Sequence, residues 1–202
     1  MAAASDLGCS PADLTSGTGV SLLLTFRGPS VSSSSSSAAS QDTIPLPASS
    51  PLLSLNSAPT ATYDSCTCAV IKPHLVKSGL VGDVLNTVLE QGYEISALQT
   101  FDLTRTNAAE FLEVYKGVVQ DFSTVVAEFS AGTVVAMELR AEDAVPNFRK
   151  TAGPWDVEMA KELYPDSIRG RLGVDGVRNA VHCTDLQSDA KSECEYFFDL
   201  LV

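Results

Sequence analysis

A break in composition near residue 60 decides how much of this chain can build a core. Residues 1–60 hold one basic residue, Arg27, and three acidic ones, Asp6, Asp13 and Asp42, around an unbroken run from Ser32 to Ser37 and prolines at 45, 47, 51 and 59. A polar segment interrupted by proline in this way cannot offset the entropy of ordering, so residues 1–62 are expected to form a disordered Ser/Pro-rich tail. The apolar stretch from Val20 to Phe26 is too short for a membrane span and has no basic residues before it, which argues against a secretory signal. One arginine is too few for a typical organelle transit peptide. Residues 63–202 are then left as one domain of ordinary size.

That domain is acidic. From residue 61 onward twelve basic residues face 22 acidic ones, a net charge of −10. Such a field disfavours nucleic acid and anionic membrane as partners, and a polyanionic ligand would need a local basic pocket. The five cysteines, Cys9, Cys66, Cys68, Cys183 and Cys194, are an odd set at low density, which fits a reduced, cytoplasmic protein. Cys66-x-Cys68 sits in an apolar run without the second pair that a zinc site needs, and reads as buried strand thiols.

Hydrophobic spacing alternates between strand and helix along the domain. Cys66 to Ile71 predicts a first strand stopped by Pro73, with Lys72 at its mouth. Leu80, Val84, Leu85, Val88 and Leu89 recur at helical spacing before Gly92. Tyr93 to Leu103 predicts the second strand, and Asn107 a helix cap with the helix running to Tyr115. Phe122 to Phe129 predicts an amphipathic helix, and Thr133 to Leu139 a strand buried on both faces. A helix is expected over 142–152, where Pro146 is tolerable only in the first turn. A short helix over 188–194 and a fourth strand over 196–201 complete the pattern. The order suits an α+β, ferredoxin-like sandwich: a four-stranded antiparallel sheet with helices on one face.

The chemistry gathers near the C-terminus. Asn179-Ala180-Val181-His182-Cys183-Thr184-Asp185 sets one of two histidines beside an amide, a hydroxyl and a carboxylate. Imidazole is partly neutral near neutral pH and can attack an electrophile without a separate base. Lys72, Arg149 and Arg169 are the cations best placed to serve a polyphosphate, provided that the fold brings them together.

Four runs stand in the order and approximate spacing of one family: Ile71-Lys72-Pro73, Gly132 to Met137, Ile168-Arg169-Gly170 and Asn179 to Asp185. Over about residues 64–202 the chain resembles the nucleoside diphosphate kinases. His74, Glu94-Ile95-Ser96-Ala97, Glu113 to Val119 and Asn179 to Leu186 are more narrowly similar to the final kinase domain of the type-7 members. Those proteins carry two such domains and are associated with ciliary axonemes and microtubule-organising centres.

The resemblance implies a phosphotransferase that moves the γ-phosphate of ATP or another nucleoside triphosphate to a nucleoside diphosphate. The route would be ping-pong through phosphohistidine at His182. By similarity Glu193 orients the histidine, while Lys72, Arg149 and Arg169 hold phosphates. Asn179 contacts the sugar hydroxyl and phosphate, Thr184 keeps the hydroxyl of the family's usual serine, and Phe122 stacks on the base. Mg²⁺ would arrive with the nucleotide, so no protein metal site is expected. Three residues depart from the family pattern: Leu112 replaces a tyrosine, Trp155 a phosphate-contacting threonine, and Cys183 a glycine.

The alternative implied by the same resemblance is a weak or inactive structural module of the axoneme or microtubule-organising centre, with axonemal or centrosomal microtubule proteins as partners. A nucleic-acid enzyme is a weaker third reading, disfavoured by the charge. Because the sequence stops just after the expected last strand, a monomer or dimer is expected over the hexamer common among single-domain members.

Overall fold

The computed structural model describes residues 60–202 of the protein. The expectation of a disordered tail falls on residues outside these, apart from 60–62.

The central strand β1 (Cys66–Ile71) is buried at every position, in keeping with a run that is apolar apart from Thr67. It is followed by α1 (Pro73–Lys77), α2 (Val81–Glu90), β2 (Glu94–Asp102), α3 (Arg105–Phe111) and a 3₁₀ turn (Glu113–Tyr115). Next come α4 (Phe122–Phe129), β3 (Thr133–Arg140), α5 (Ala144–Ala152), α6 (Val157–Leu163) and α7 (Ile168–Leu172). The chain closes with β4 (Val181–Cys183), α8 (Ala190–Glu195) and a π-helical turn (Tyr196–Leu200). The strands lie in the order β2-β3-β1-β4 and every pairing is antiparallel, which is the ferredoxin-like arrangement.

Alternation along the strands sorts the core into two layers. Ala69, Ile71, Val135 and Met137 pack with Val84 and Val88 of α2, Phe148 of α5 and Ile168 of α7. Cys66, Cys68, Val70 and Ala136 point the other way and meet Phe111, Val125, Phe129 and Cys194 from α3, α4 and α8. Helices therefore cover both faces of the sheet, where one covered face was expected. Each wholly buried phenylalanine, such as Phe129 or Phe148, contributes roughly 1.5–3 kcal/mol.

The fourth strand is the main correction. Residues 196–201 do not form it; Tyr196–Leu200 winds on from α8, and the strand at the sheet edge is Val181–Cys183. The neighbours Phe197 and Phe198 both bury into one core layer, which a helical turn allows and a strand's alternation forbids. The helix expected from Asn107 is capped instead by Thr104, whose hydroxyl accepts from the Asn107 amide at 3.1 Å, and it ends at Phe111. Pro146 does fall in the first turn of α5.

Thr62, counted with the tail on composition, is bonded into the domain. The buried carboxylate of Glu138 on β3 accepts from the Thr62 amide at 3.1 Å, the Thr62 hydroxyl at 3.1 Å and the Tyr63 amide at 3.0 Å. These donors are what make a charge tolerable at a site with no solvent exposure.

Candidate active site

β4 is only three residues long, yet it places the histidine. Val70 of β1 pairs with His182, and alternation turns Val181 and Cys183 toward α2, α5 and α7 while His182 turns to the opposite face. There its ring meets Phe111 edge-on at 4.9 Å and Tyr115 edge-on at 5.8 Å, and it is 2% exposed. Nε2 lies 3.0 Å from Glu193 Oε2, and the Thr184 hydroxyl donates to the same oxygen at 2.7 Å. Thr184 in turn accepts from the Cys68 amide at 3.0 Å, so the hydroxyl ties the carboxylate to the backbone of β1. A carboxylate acceptor fixes the ring proton on Nε2. Nδ1 then carries the lone pair, and it makes no hydrogen bond among the described residues.

Lys72 and Arg169 lie close by and are buried. Lys72, at the end of β1, has no exposure and donates from Nζ to the Val177 carbonyl at 2.8 Å. Burial first, and then the Arg169 charge, push its pKa down to about 7. Arg169 on α7 donates to the Gly153 carbonyl at 2.7 Å and the Val181 carbonyl at 2.9 Å, while its Nε is buried without a partner. Arg149 on α5 is exposed and paired with the Asp185 carboxylate. Asn179 donates to the Trp155 carbonyl at 3.2 Å, and its buried Oδ1 has no partner.

Trp155 unites these groups. Its ring centroid is 5.1 Å from Lys72 Nζ and 5.6 Å from Arg169 Cζ, and the Tyr115 ring stacks on it at 6.3 Å. A desolvated cation–π contact contributes about 2 kcal/mol, so the indole partly takes the place of an anion. Beyond it opens a cleft of about 1240 Å³ whose walls include Tyr115, Val119, Arg149, Trp155, Arg169 and Asp185. His182 and Lys72 lie behind this wall and do not line it.

Of the residues expected at the site, His182, Glu193 and Thr184 are joined by hydrogen bonds, and Lys72, Arg169 and Asn179 converge on Trp155. Arg149 stands on the cleft wall. Phe122 does not: it starts α4 and packs against the core, and Val118 to Asp121 form that wall instead. Leu112 is 1% exposed within the core and offers no hydroxyl.

Sequence reasoning gives Tyr115 and Asp185 no role. Burial, and then the charges of Glu193 and Asp185, raise the Tyr115 pKa, so it stays a hydroxyl donor at the cleft. Asp185 closes the histidine motif, and that position three residues after His182 is the one signal that could have pointed to it. The second histidine braces the fold, because His74 Nδ1 meets Glu128 Oε1 at 2.8 Å and ties α1 to α4.

An antiparallel sheet in the order β2-β3-β1-β4, covered on both faces and carrying a carboxylate-held histidine on its edge strand, defines a ferredoxin-like α+β domain with a histidine-centred site. The chain belongs to the nucleoside diphosphate kinase family, whose model, described as "Nucleoside diphosphate kinase", matches residues 65–201. It is similar to nucleoside diphosphate kinase homolog 7 of Rattus norvegicus, at 43% identity over 142 residues, 70% of this chain and 36% of that protein. The mouse protein of the same name is 42% identical, and again the chain spans 36% of its length. The nucleoside diphosphate kinase of Aquifex aeolicus is 35% identical over 133 residues, 65% of this chain and 92% of that one. A crystal structure of the Aquifex enzyme superposes with a TM-score of 0.64 at 34% identity, covering 68% of this chain and 96% of that one.

Proposed function

We propose that the protein is a nucleoside diphosphate kinase that works through phosphohistidine. His182 Nδ1 forms a bond to the γ-phosphorus of a nucleoside triphosphate as the bond to the bridging oxygen breaks and the diphosphate leaves. A second nucleoside diphosphate then takes the phosphoryl group from Nδ1 by the reverse displacement. The observation that supports this most is the histidine itself: Nε2 held by Glu193, which Thr184 braces, Nδ1 free, Lys72 and Arg169 close by. Those cations would spread over the phosphoryl oxygens, where transition-state charge lies. Asn179 Oδ1 and Arg169 Nε, both buried without partners, are further groups that a nucleotide could satisfy.

No group of three or more His, Cys, Asp or Glu side chains that could hold a metal occurs among the described residues. In this reading Mg²⁺ travels with the polyphosphate, held by its oxygens and water, and neutralises part of its charge. The test is labelling with γ-labelled ATP: acid-labile, alkali-stable incorporation that disappears in His182→Ala. A wild-type protein that takes up no label at any Mg²⁺ concentration would sink the proposal.

A second reading is favoured by Tyr115 standing edge-on to the histidine with Trp155 stacked on it, and by the absence of a hydroxyl at Leu112. Here the domain is an attenuated module of the axoneme or microtubule-organising centre, acting through microtubule-associated partners as a monomer or dimer. It predicts that His182→Ala leaves partner binding and placement in the cell unchanged.

A further inference from the structure

We propose that Trp155 is a two-position specificity residue: its indole covers Lys72 and Arg169 when the site is empty, and swings onto the nucleoside when a nucleotide enters. This rests on the phosphotransferase reading and names how that site selects its ligand.

Three observations meet at the ring. Lys72 Nζ and Arg169 Cζ face it at 5.1 and 5.6 Å, and neither cation has an ion-pair partner among the described residues. Arg169 Nε and Asn179 Oδ1, one on the side chain facing the indole and the other on the side chain bonded to the Trp155 carbonyl, are buried without partners. The arrangement is thus complete for packing and incomplete for hydrogen bonding. Trp155 also lines the cleft of about 1240 Å³, so the indole has space to turn into by side-chain rotation.

The two positions have opposite consequences for different phosphate compounds. Any phosphate must displace the indole from the cations, and that cost is common to all of them. A nucleoside returns part of it, because the displaced ring stacks on its base in the cleft beside Tyr115. Pyrophosphate has no such surface. Phe122 packs half-buried against the core and does not line the cleft, so a ring arriving from the cation site supplies an aromatic face there beside Tyr115.

Trp155 is the one tryptophan in the chain, and its emission reports the swing directly. The wild-type protein, Trp155→Thr and Trp155→Phe are titrated with ADP and with pyrophosphate, binding being followed independently by calorimetry. ADP is expected to shift Trp155 emission, and pyrophosphate at the same concentration to stay largely unbound by calorimetry and so to leave the emission unchanged. Trp155→Thr is expected to bind pyrophosphate at least about tenfold more tightly and to lower the ADP-to-pyrophosphate affinity ratio by about tenfold or more, with Trp155→Phe in between. If calorimetry shows ADP bound while the emission stays still, or if Trp155→Thr and Trp155→Phe both keep the wild-type ratio, the two-position role is overturned and nucleotide binding stands. If neither the wild type nor Trp155→Phe binds ADP, this inference and the proposed function fall together.

Discussion

Removing the charge behind the histidine separates orientation from mere burial. Two donors end on one oxygen of Glu193: His182 Nε2 at 3.0 Å and the Thr184 hydroxyl at 2.7 Å. A hydrogen bond to a charged group contributes about 1.5–3 kcal/mol, against about 0.5–1.5 for a neutral pair. Glu193→Gln keeps an acceptor and loses the charge, which weakens the histidine bond by about 1–1.5 kcal/mol. If that bond acts fully in the transition state, His182 phosphorylation slows roughly five- to tenfold. Glu193→Ala removes both bonds, about 3 kcal/mol or more, and the rate falls about a hundredfold. The fold should survive, because Thr184 still accepts from the Cys68 amide and can turn to the Cys68 carbonyl, 3.4 Å away. The assay is single-turnover incorporation of label from γ-labelled ATP, quenched in alkali, with thermal denaturation run beside it. A folded Glu193→Ala protein that labels within about twofold of wild type would refute the assigned role of the carboxylate.

Lys72→Met should stabilise the protein while abolishing phosphate binding. The lysine pKa is held down to about 7 in the fold against 10.5 for the free side chain, so unfolding takes up a proton between those values and stability rises with pH across that window. Below about pH 7 the full cost of the buried charge remains, up to about 5 kcal/mol; urea titrations at about pH 6.5 and pH 9 should show the slope in wild type and its loss in the variant. Glu138→Ala strands the amides of Thr62 and Tyr63, and is expected to cost about 2–4 kcal/mol and to speed hydrogen exchange at both. Gly170→Ala would put a Cβ 2.4 Å from the Tyr164 carbonyl oxygen and 3.0 Å from that of Ala160, forcing α7 off α6. A loss above about 3 kcal/mol in chemical denaturation is expected.

What the sequence revealed follows from the lengths of the signals. β1, β3 and α2 carry six to ten residues of clear periodicity and emerge where the spacing put them. β4 has three residues, too few for a period, and lies between Asn179 and Thr184, whose polarity suggests a loop. The aromatic run at 196–201 looks more like a strand, because a sequence does not say that Phe197 and Phe198 bury on the same side. α6 and α7 escape for a similar reason, being set by the caps Asp156 and Ser167 more than by an apolar stripe. Among candidate site residues, His182, Glu193 and Thr184 are legible through resemblance. The departure at Trp155 is visible too, but its contact with both cations is a tertiary fact: Lys72 and Arg169 are 97 positions apart. Phe122 suits the cleft by its type, whereas it packs half-buried against the core and off the cleft wall.

The proposed nucleophile also rests on the strand with the fewest partners in the sheet. β4 meets β1 through the partners Ala69 with Cys183, Val70 with His182 and Ile71 with Val181, whereas β2 and β3 share eight partner pairs, with one shift of register between Ile95 and Ala97. An opening confined to those three pairs, with the Thr184 clasp, would detach His182 while most of the core stayed intact. On the proposed reading, competence for phosphoryl uptake is a property of that local equilibrium, and mild denaturant should remove it before it melts the domain.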